Sequence, residues 1–226
     1  MPDSPERLVG ALRELIEVVR ISDLDDLALR GSTEAVEAIT DGLRPHIVDG
    51  VRMQSTLDLH ELLTRVDARP DRGARLRELG LSGVFPYSPY IGLLNPLAPP
   101  ATLRIIDGDP WADIEGEVIF SDAYNGPPAG VHGGVLAGMF DELLGAACVV
   151  NDVGGFTGTL NIRYRSPSPL REPIMMHAWI DRIEGRKTFV RGTFHHGEIL
   201  LLEGEGIFIA FDAFPTSSAG DQADHG

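Results

Sequence analysis

The stretch NGPPAGVHGGVLAGMFDELLGAACVV, from Asn125 to Val150, decides how this chain folds. It opens with prolines and glycines and continues as an apolar run long enough for a helix of about five turns. One carboxylate pair, Asp141 and Glu142, interrupts the apolar run. A helix that is apolar on nearly every face must be surrounded by other structure. The stretch therefore predicts a long, buried central helix.

The segments on both sides of this helix alternate apolar and polar residues, as strands do. Two strand-like segments precede the helix, at 102–107 and 112–120, and four follow it: FTGTLNIRYRS, PIMMHAWIDRIE, RKTFVRGTFHH and EILLLEGEGIFIAF. The joins at 184–187 and 195–198 are short enough for hairpins between antiparallel neighbours. We expect an α+β fold in which an antiparallel, curved sheet surrounds the central helix.

The first 80 residues read differently, because their apolar residues recur at helical spacing. One pattern covers 6–20, a second follows a predicted N-cap at Ser32, and weaker ones cover 58–66 and 74–79. A stretch dense in Gly and Pro comes next and predicts a linker. The predicted organisation is a helical N-terminal extension at 1–80, a linker at 81–101, the α+β domain at 102–212 and a polar tail at 213–226.

Composition excludes some classes of function. The 226 residues carry a formal net charge of −15, which argues against nucleic acid as the main partner because phosphate binding needs a concentrated basic surface. Cys148 is the single cysteine, so no intrachain disulfide can form. The N-terminus lacks the apolar core of a signal peptide, and no uninterrupted apolar run reaches the ~20 residues of a membrane span. We expect a cytoplasmic protein.

The start of the central helix is a candidate binding site. Gly133 and Gly134 follow His132 and expose the first backbone amides, which lack acceptors inside a helix. These donors and the positive end of the helix dipole suit a carbonyl oxygen that gains negative charge. The alternative is structural, since two glycines can also begin a tightly packed helix.

Asp141 favours the chemical alternative. A carboxylate in apolar surroundings costs free energy when it is charged, unless it is paired or hydrogen-bonded. The alternative is an exposed polar stripe formed by Asp141 and Glu142 together. Because successive helical residues point about 100° apart, the two acids need not share one environment. We assign the chemistry to Asp141 and a solvated or structural role to Glu142.

The spacing of these groups predicts a second copy of the chain. Nine residues separate His132 from Asp141, which is roughly 13 Å along the helix axis and about half a turn out of phase. One helix therefore cannot bring the Gly133 amide and the Asp141 carboxylate to the same substrate atom. Two antiparallel copies could, so a site using both groups lies between subunits.

The run GPPAGVHGGVLAGMFDELLG resembles the signature of hotdog-fold acyl-CoA thioesterases of the phenylacetic-acid-degradation (PaaI-like) family, in which HGG and an Asp are separated by six residues. The segment FTGTLNIRYRSPSPL resembles the strand that follows the helix in that family. The resemblance covers roughly residues 92–212. It implies a hotdog fold, an acyl-CoA substrate, no cofactor, and a homo-oligomer that is a dimer or a dimer of dimers.

The resemblance also implies roles for individual residues. Asp141 would be the general base that activates water or the nucleophile that attacks the thioester. Gly133 would donate its amide to the thioester oxygen, with His132 shaping the helix start, and Thr157 would position the water or the base. Many members carry an Asn six positions before the His. Here that position is Gly126 and Asn125 lies one residue further away, so Asn125 is a weaker match.

A polar strand face offers a candidate substrate track. By period two, one face of the strand carries Thr157, Thr159, Asn161, Arg163 and Arg165. The two arginines could hold the phosphates of coenzyme A, and a solvated or intersubunit polar face is the equal alternative. His195 and His196 lack a Cys or acid at ligand spacing, so we expect no metal site.

Three hypotheses follow for the function. The leading one is an enzyme that hydrolyses acyl-CoA to a carboxylic acid and free CoA. The second is a non-catalytic acyl-CoA-binding or sensor protein of the same fold, although a sensor would need neither Asp141 nor Thr157. A hydratase or dehydratase ranks last, because no Asp/His pair lies near the helix.

Overall fold

In the computed structural model, residues 4–57, 70–127 and 129–210 are described. One antiparallel sheet of six strands has the spatial order β1-β2-β6-β7-β8-β5. Its strands are β1 (Ala101–Ile106), β2 (Asp113–Ile119), β5 (Phe156–Tyr164), β6 (Pro173–Glu184), β7 (Lys187–His196) and β8 (Ile199–Ile209). A small hairpin joins β3 (Asn125–Gly126) to β4 (Gly130–Val131). The sequence prediction of an antiparallel sheet joined by short hairpins is confirmed.

The central helix, α4 (Gly133–Val150), lies against the inner face of this sheet. The core is built from helix residues and inward-facing strand residues that are nearly inaccessible to solvent, including Met139, Phe140, Leu143, Leu144, Ile174, Met176 and Phe194. By length and composition alone α4 could cross a bilayer, yet half of it is buried inside the fold. It is therefore placed as the core helix of a curved sheet, in agreement with the predicted α+β hotdog architecture.

Three helices precede the sheet: α1 (Pro5–Ile21), α2 (Asp26–Leu43) and α3 (Pro70–Val84). The predicted N-cap at Ser32 is wrong, because α2 already begins at Asp26. Asp25 caps it by accepting a hydrogen bond from the Ala28 amide at 2.8 Å. The pattern around Ser32 begins in mid-helix, and the capping acid at Asp25 was overlooked as the start signal.

The predicted linker also begins inside a helix. The helical assignment of α3 continues to Val84, with a break at Gly80, whose φ of 66° only glycine adopts easily. The segment that follows is packed rather than extended into solvent: Phe85, Ile91 and Ala98 are buried. The pattern predicted at 58–66 and the tail at 213–226 lie outside the described residues.

Helix α1 is fastened to the domain by two charged side chains. The Arg13 guanidinium donates to the carbonyl oxygens of Gly92 and Asn95, both at 2.9 Å. The Glu17 carboxylate accepts from the amides of Asp122 and Ala123 at 3.0 Å. In contrast, every residue of α2 is exposed. The N-terminal extension is thus anchored to the domain at α1 and by the residues on either side of Val84.

Gly138 is the place where the segment after α3 crosses the central helix. A Cβ atom on Gly138 would overlap the ring of Tyr90, which packs against the core. We expect Gly138→Ala to lower the free energy of unfolding by about 1–3 kcal/mol, as overpacking does, measured by urea denaturation. The control is Gly145→Ala, where the nearest atom to the new Cβ is Phe208 Cε1 at 3.7 Å. Equal stability of the two variants would contradict this packing.

Candidate active site

The start of α4 has two backbone amides of interest: that of Gly133, which is free, and that of Gly134, which is hydrogen-bonded to the helix cap. His132 is the N-cap of α4, and its Nδ1 accepts a hydrogen bond from the Gly134 amide at 3.0 Å. A backbone amide can only donate, so Nδ1 is the unprotonated ring nitrogen in this arrangement. Within the described part of the chain, the Gly133 amide has no acceptor. Gly133 is therefore the donor available to a substrate oxygen, and Gly134 serves the cap.

Tyr164 fixes the other side of the helix start. Its hydroxyl donates to the Gly133 carbonyl oxygen at 2.8 Å, and its ring lies 3.7 Å from where a Gly133 Cβ would be. Sequence reasoning did not assign Tyr164 any role in the site. Strand alternation marked it as apolar, and the contact depends on how β5 crosses the helix.

Asn125 lies beside this helix start, exposed, on strand β3. Its neighbour Gly126 packs directly on His132, since a Cβ there would lie 2.7 Å from His132 Cα. Position 126, where the family resemblance implies an Asn, therefore has no room for a side chain in this backbone. Binding of substrate by Asn125 stays a prediction.

The middle of the helix brings the two predicted catalytic side chains together. The Thr157 hydroxyl donates to Asp141 Oδ1 at 2.9 Å. This contact joins α4 to the start of strand β5, sixteen residues later in the sequence. A hydroxyl donor stabilises the charged carboxylate and fixes its orientation. Among the residues that the structure describes, the second oxygen of Asp141 has no hydrogen-bond donor and is available to water or substrate.

A β-bulge explains why Thr157 reaches the helix. Thr157 pairs with Phe208 and Thr159 with Ile207, so Gly158 is an extra residue in β5. Directly opposed residues share a face of the sheet, and Phe208 is buried on the helix side. The bulge therefore sends Thr157 inward and its neighbour Thr159 outward.

The predicted substrate track is corrected by this bulge, because its five residues do not share one face. Arg163 lies directly opposite Glu203 of the neighbouring strand β8, on the outer face of the sheet. Arg165 Nε donates to the Glu203 carboxylate at 2.9 Å. Within one chain the sheet separates both arginines from Asp141. Period-two counting cannot detect an inserted residue, and Gly158 was the available signal.

Glu142 has a structural partner and is only partly accessible to solvent. Its Oε1 accepts a hydrogen bond at 2.7 Å from the hydroxyl of Ser88, which is fully buried. The same hydroxyl oxygen accepts from the amides of Tyr90 and Ile91 at 3.1 and 3.2 Å. Glu142 therefore ties the central helix to the segment after α3. Burial raises the pKa of Glu142, and the charge of Asp141 adds to this effect.

This pKa shift has a consequence for stability. A carboxyl group whose pKa is raised in the folded state disfavours folding when it ionises, so the cost appears as the pH rises above the ordinary value of 4.5 and is absent below it. We expect Glu142→Gln to raise the melting temperature at pH 7 and to leave it unchanged at pH 3.5. Glu117 is exposed, so the control substitution Glu117→Gln should change the melting temperature little at either pH. A lower melting temperature for Glu142→Gln at pH 7 would show that the ionised form is stabilising.

A cavity of about 230 Å³ contains Asp141, Glu142 and Thr157. Its remaining walls are largely apolar and include Phe85, Ala146, Val149 and Phe208. Apolar walls around a few converging polar groups are typical of small-molecule sites. The cavity and the free Gly133 amide are eight residues apart on one unbroken helix, or about 12 Å.

Comparison with known proteins finds a match for part of the chain. The family model of the thioesterase superfamily matches residues 130–203. Residues 130–203 thus form a thioesterase superfamily domain. The matched segment includes the helix start, Asp141 and Thr157. This superfamily domain has the hotdog fold predicted from the sequence, whereas placement in the PaaI-like subfamily stays a prediction.

Two curated relatives of the thioesterase domain are acyl-coenzyme A thioesterases. The chain is 35% identical over 89 residues to THEM4 of Mus musculus, covering 38% of either protein. It is 31% identical over 86 residues to THEM5 of Homo sapiens, covering 37% of this chain and 35% of that protein. The matches therefore span less than half of these relatives.

A solved structure matches over nearly the whole length. The crystal structure of a thioesterase superfamily protein aligns with 92% of this chain and 92% of its own, with a TM-score of 0.73 and 25% sequence identity. The alignment therefore extends beyond the thioesterase domain and includes most of the residues that precede it.

Proposed function

We propose that the chain hydrolyses acyl-CoA thioesters to a carboxylic acid and free CoA. The observation that carries this proposal is the Thr157 hydroxyl on Asp141 Oδ1, at 2.9 Å, in an apolar cavity. A carboxylate held in this way can remove a proton from water. The names of the curated relatives support acyl-CoA as the substrate class.

The chemistry needs no group beyond water and the protein. With Asp141 as general base, the water oxygen bonds to the thioester carbon while its proton moves to Asp141. The carbonyl oxygen becomes an oxyanion, which an amide such as that of Gly133 stabilises. The tetrahedral intermediate then releases the CoA thiolate, and Asp141 returns the proton to sulfur. With Asp141 as nucleophile, its carboxylate attacks the thioester carbon and expels the CoA thiolate. Water then cleaves the resulting acyl anhydride to the carboxylic acid and the Asp141 carboxylate, and the proton released from water passes to the thiolate.

We infer that the working site is formed by two copies of the chain. On one helix the Gly133 amide and Asp141 are about 12 Å apart, so each site requires a helix start from a partner. Strand β5 offers the surface: it pairs with β8 on one side, and none of its residues is buried in the described part of the chain. An unpaired edge strand is a template for pairing with another chain.

Pairing through β5 has a direct geometric benefit. Two copies related by a twofold axis would align their edge strands antiparallel and extend the sheet. The central helices would then lie side by side and antiparallel, with one helix start near the middle of the other. Three further points stay predictions: a dimer of dimers, contacts of Arg163 and Arg165 with the phosphates of CoA, and a cytoplasmic location.

Thiol release from a panel of acyl-CoA substrates tests the proposed function. We expect the purified chain to release free CoA from at least one aliphatic or aromatic acyl-CoA, in proportion to carboxylic acid formed. Tight acyl-CoA binding without thiol release would instead favour a binding or sensor protein. Native mass measurement in the same buffer should give a dimer or a tetramer, and a monomer that retains activity would contradict the shared site.

A further inference from the structure

The cavity at Asp141 is lined in part by a segment outside the thioesterase domain match. Met53 and Gln54 belong to the N-terminal extension, and both line this cavity with Phe85. The family match begins only at residue 130. The walls of the site are therefore contributed partly by a region that the domain signature does not include.

The cavity extends from Asp141 along the central helix toward its C-terminal end. Asp141, Gly145 and Val149 are four residues apart and share one helix face, and all three line the cavity. This face spans roughly 12 Å of helix. The polar groups are concentrated at the Asp141 end, whereas Ala146, Val149 and Phe208 line the rest. An apolar groove that leads away from a catalytic carboxylate suits the acyl part of a thioester.

The N-terminal wall is held in place by its own hydrogen bonds. The Thr56 amide donates to the Val84 carbonyl oxygen at 2.8 Å, and the Tyr87 amide donates to the Gln54 carbonyl oxygen at 3.2 Å. The Ser55 hydroxyl also donates to the Val84 oxygen, at 3.1 Å. Leu57 is buried in the core. Met53 and Gln54 are thus positioned by a fixed backbone rather than lying loosely over the opening.

We propose that Met53 and Phe85 are specificity-determining residues that limit the size of the acyl group. This rests on the proposed function and assigns it a substrate class: short to medium apolar acyl groups. The volume of about 230 Å³ lies below the usual range for drug-sized ligands, so a short acyl group fits beside Met53 better than a long one. Gly145 also lines the groove, and the absence of a side chain there leaves room for the acyl group.

Two substitutions change the groove in opposite directions. Met53→Ala removes one wall and should raise the ratio of kcat/KM for dodecanoyl-CoA to that for hexanoyl-CoA by about tenfold, the effect expected of a few apolar contacts. Met53 is 47% exposed, so its loss spares the core. Gly145→Val fills the groove and should lower the same ratio, with acetyl-CoA affected least. Val51→Ala, at a side chain 90% exposed and outside the groove, is the matched control.

Binding of non-hydrolysable acyl-CoA thioethers of the same chain lengths supplies a second measurement. Thiol release with an unchanged chain-length profile in Met53→Ala and Gly145→Val would overturn the groove and leave hydrolysis intact. No thiol release, but thioether affinities whose chain-length dependence shifts with these variants, would support the groove and overturn hydrolysis. If the wild type neither releases thiol nor binds the thioethers, the proposed hydrolysis and the proposed groove are both overturned.

Discussion

Replacing Asp141 by asparagine is expected to slow acyl-CoA hydrolysis by about 10²–10⁴-fold, the range that general acid–base catalysis contributes. The amide keeps the shape of the side chain and can still accept the Thr157 hydrogen bond, which is 2.9 Å long in the wild type. It cannot take a proton from water or attack a thioester. Initial rates of thiol release, at saturating and limiting acyl-CoA, measure the change.

The controls separate chemistry from folding. Thr157→Val keeps the size of the side chain and removes the hydroxyl, so kcat should fall by less than in Asp141→Asn because the carboxylate is still present. Melting temperatures should show that both variants fold. Activity of Asp141→Asn within a few-fold of the wild type would remove Asp141 from the mechanism and leave the binding-protein hypothesis as the better one.

Removal of a single amide at Gly133 is expected to have the second largest effect. Gly133 is the first residue of α4, a position at which helices accept proline. His132, with φ −61° and ψ 131°, already has the extended backbone that a following proline requires. Gly133→Pro therefore deletes the free donor while sparing the helix. We expect kcat to fall by about 10²–10³-fold, as for loss of one oxyanion donor.

Gly133→Ala is the matched control, because it adds a Cβ but keeps the amide. The added atom would lie 3.7 Å from the Tyr164 ring, an ordinary contact. Its loss of rate should be far smaller than that of Gly133→Pro. Similar losses in the two variants would point to crowding at the helix start instead of the amide.

Mixing the two inactive variants tests whether the site is shared between subunits. A mixed dimer of Asp141→Asn and Gly133→Pro chains has one site in which both the carboxylate and the amide are intact. Co-refolded or co-expressed chains should therefore recover up to about a quarter of wild-type activity per site, since half of the dimers are mixed and each restores one of two sites. No recovery in verified mixed dimers would place both groups in a single subunit.

Much of this fold follows from local sequence pattern. The apolar run after His132 predicts a buried helix, and the alternating segments with short joins predict antiparallel neighbours. The same run gave the free amide and the carboxylate, and helical rise alone showed that they are about 12 Å apart in one chain. These properties depend on residues close together in the sequence, which is why they are readable there.

Other features depended on contacts between distant segments. Ser88 was predicted to lie in a linker, yet its buried hydroxyl donates to Glu142 on the central helix. Met53 and Phe85 line the cavity of Asp141, although nothing in their local pattern indicates a site. The bulge at Gly158 turned Thr157 toward the helix and the arginines away from it.

The sequence by itself determined the central helix and the antiparallel strands, and it predicted the candidate catalytic pair and a site shared with a second copy. These follow from hydrophobic period and helix geometry, which act over a few residues. Only the tertiary structure decided which face of the sheet each β5 residue occupies, which residue donates a hydrogen bond to Glu142, and which segment lines the cavity. One inserted residue reverses a strand's faces, and packing between segments far apart in the chain has no local signature.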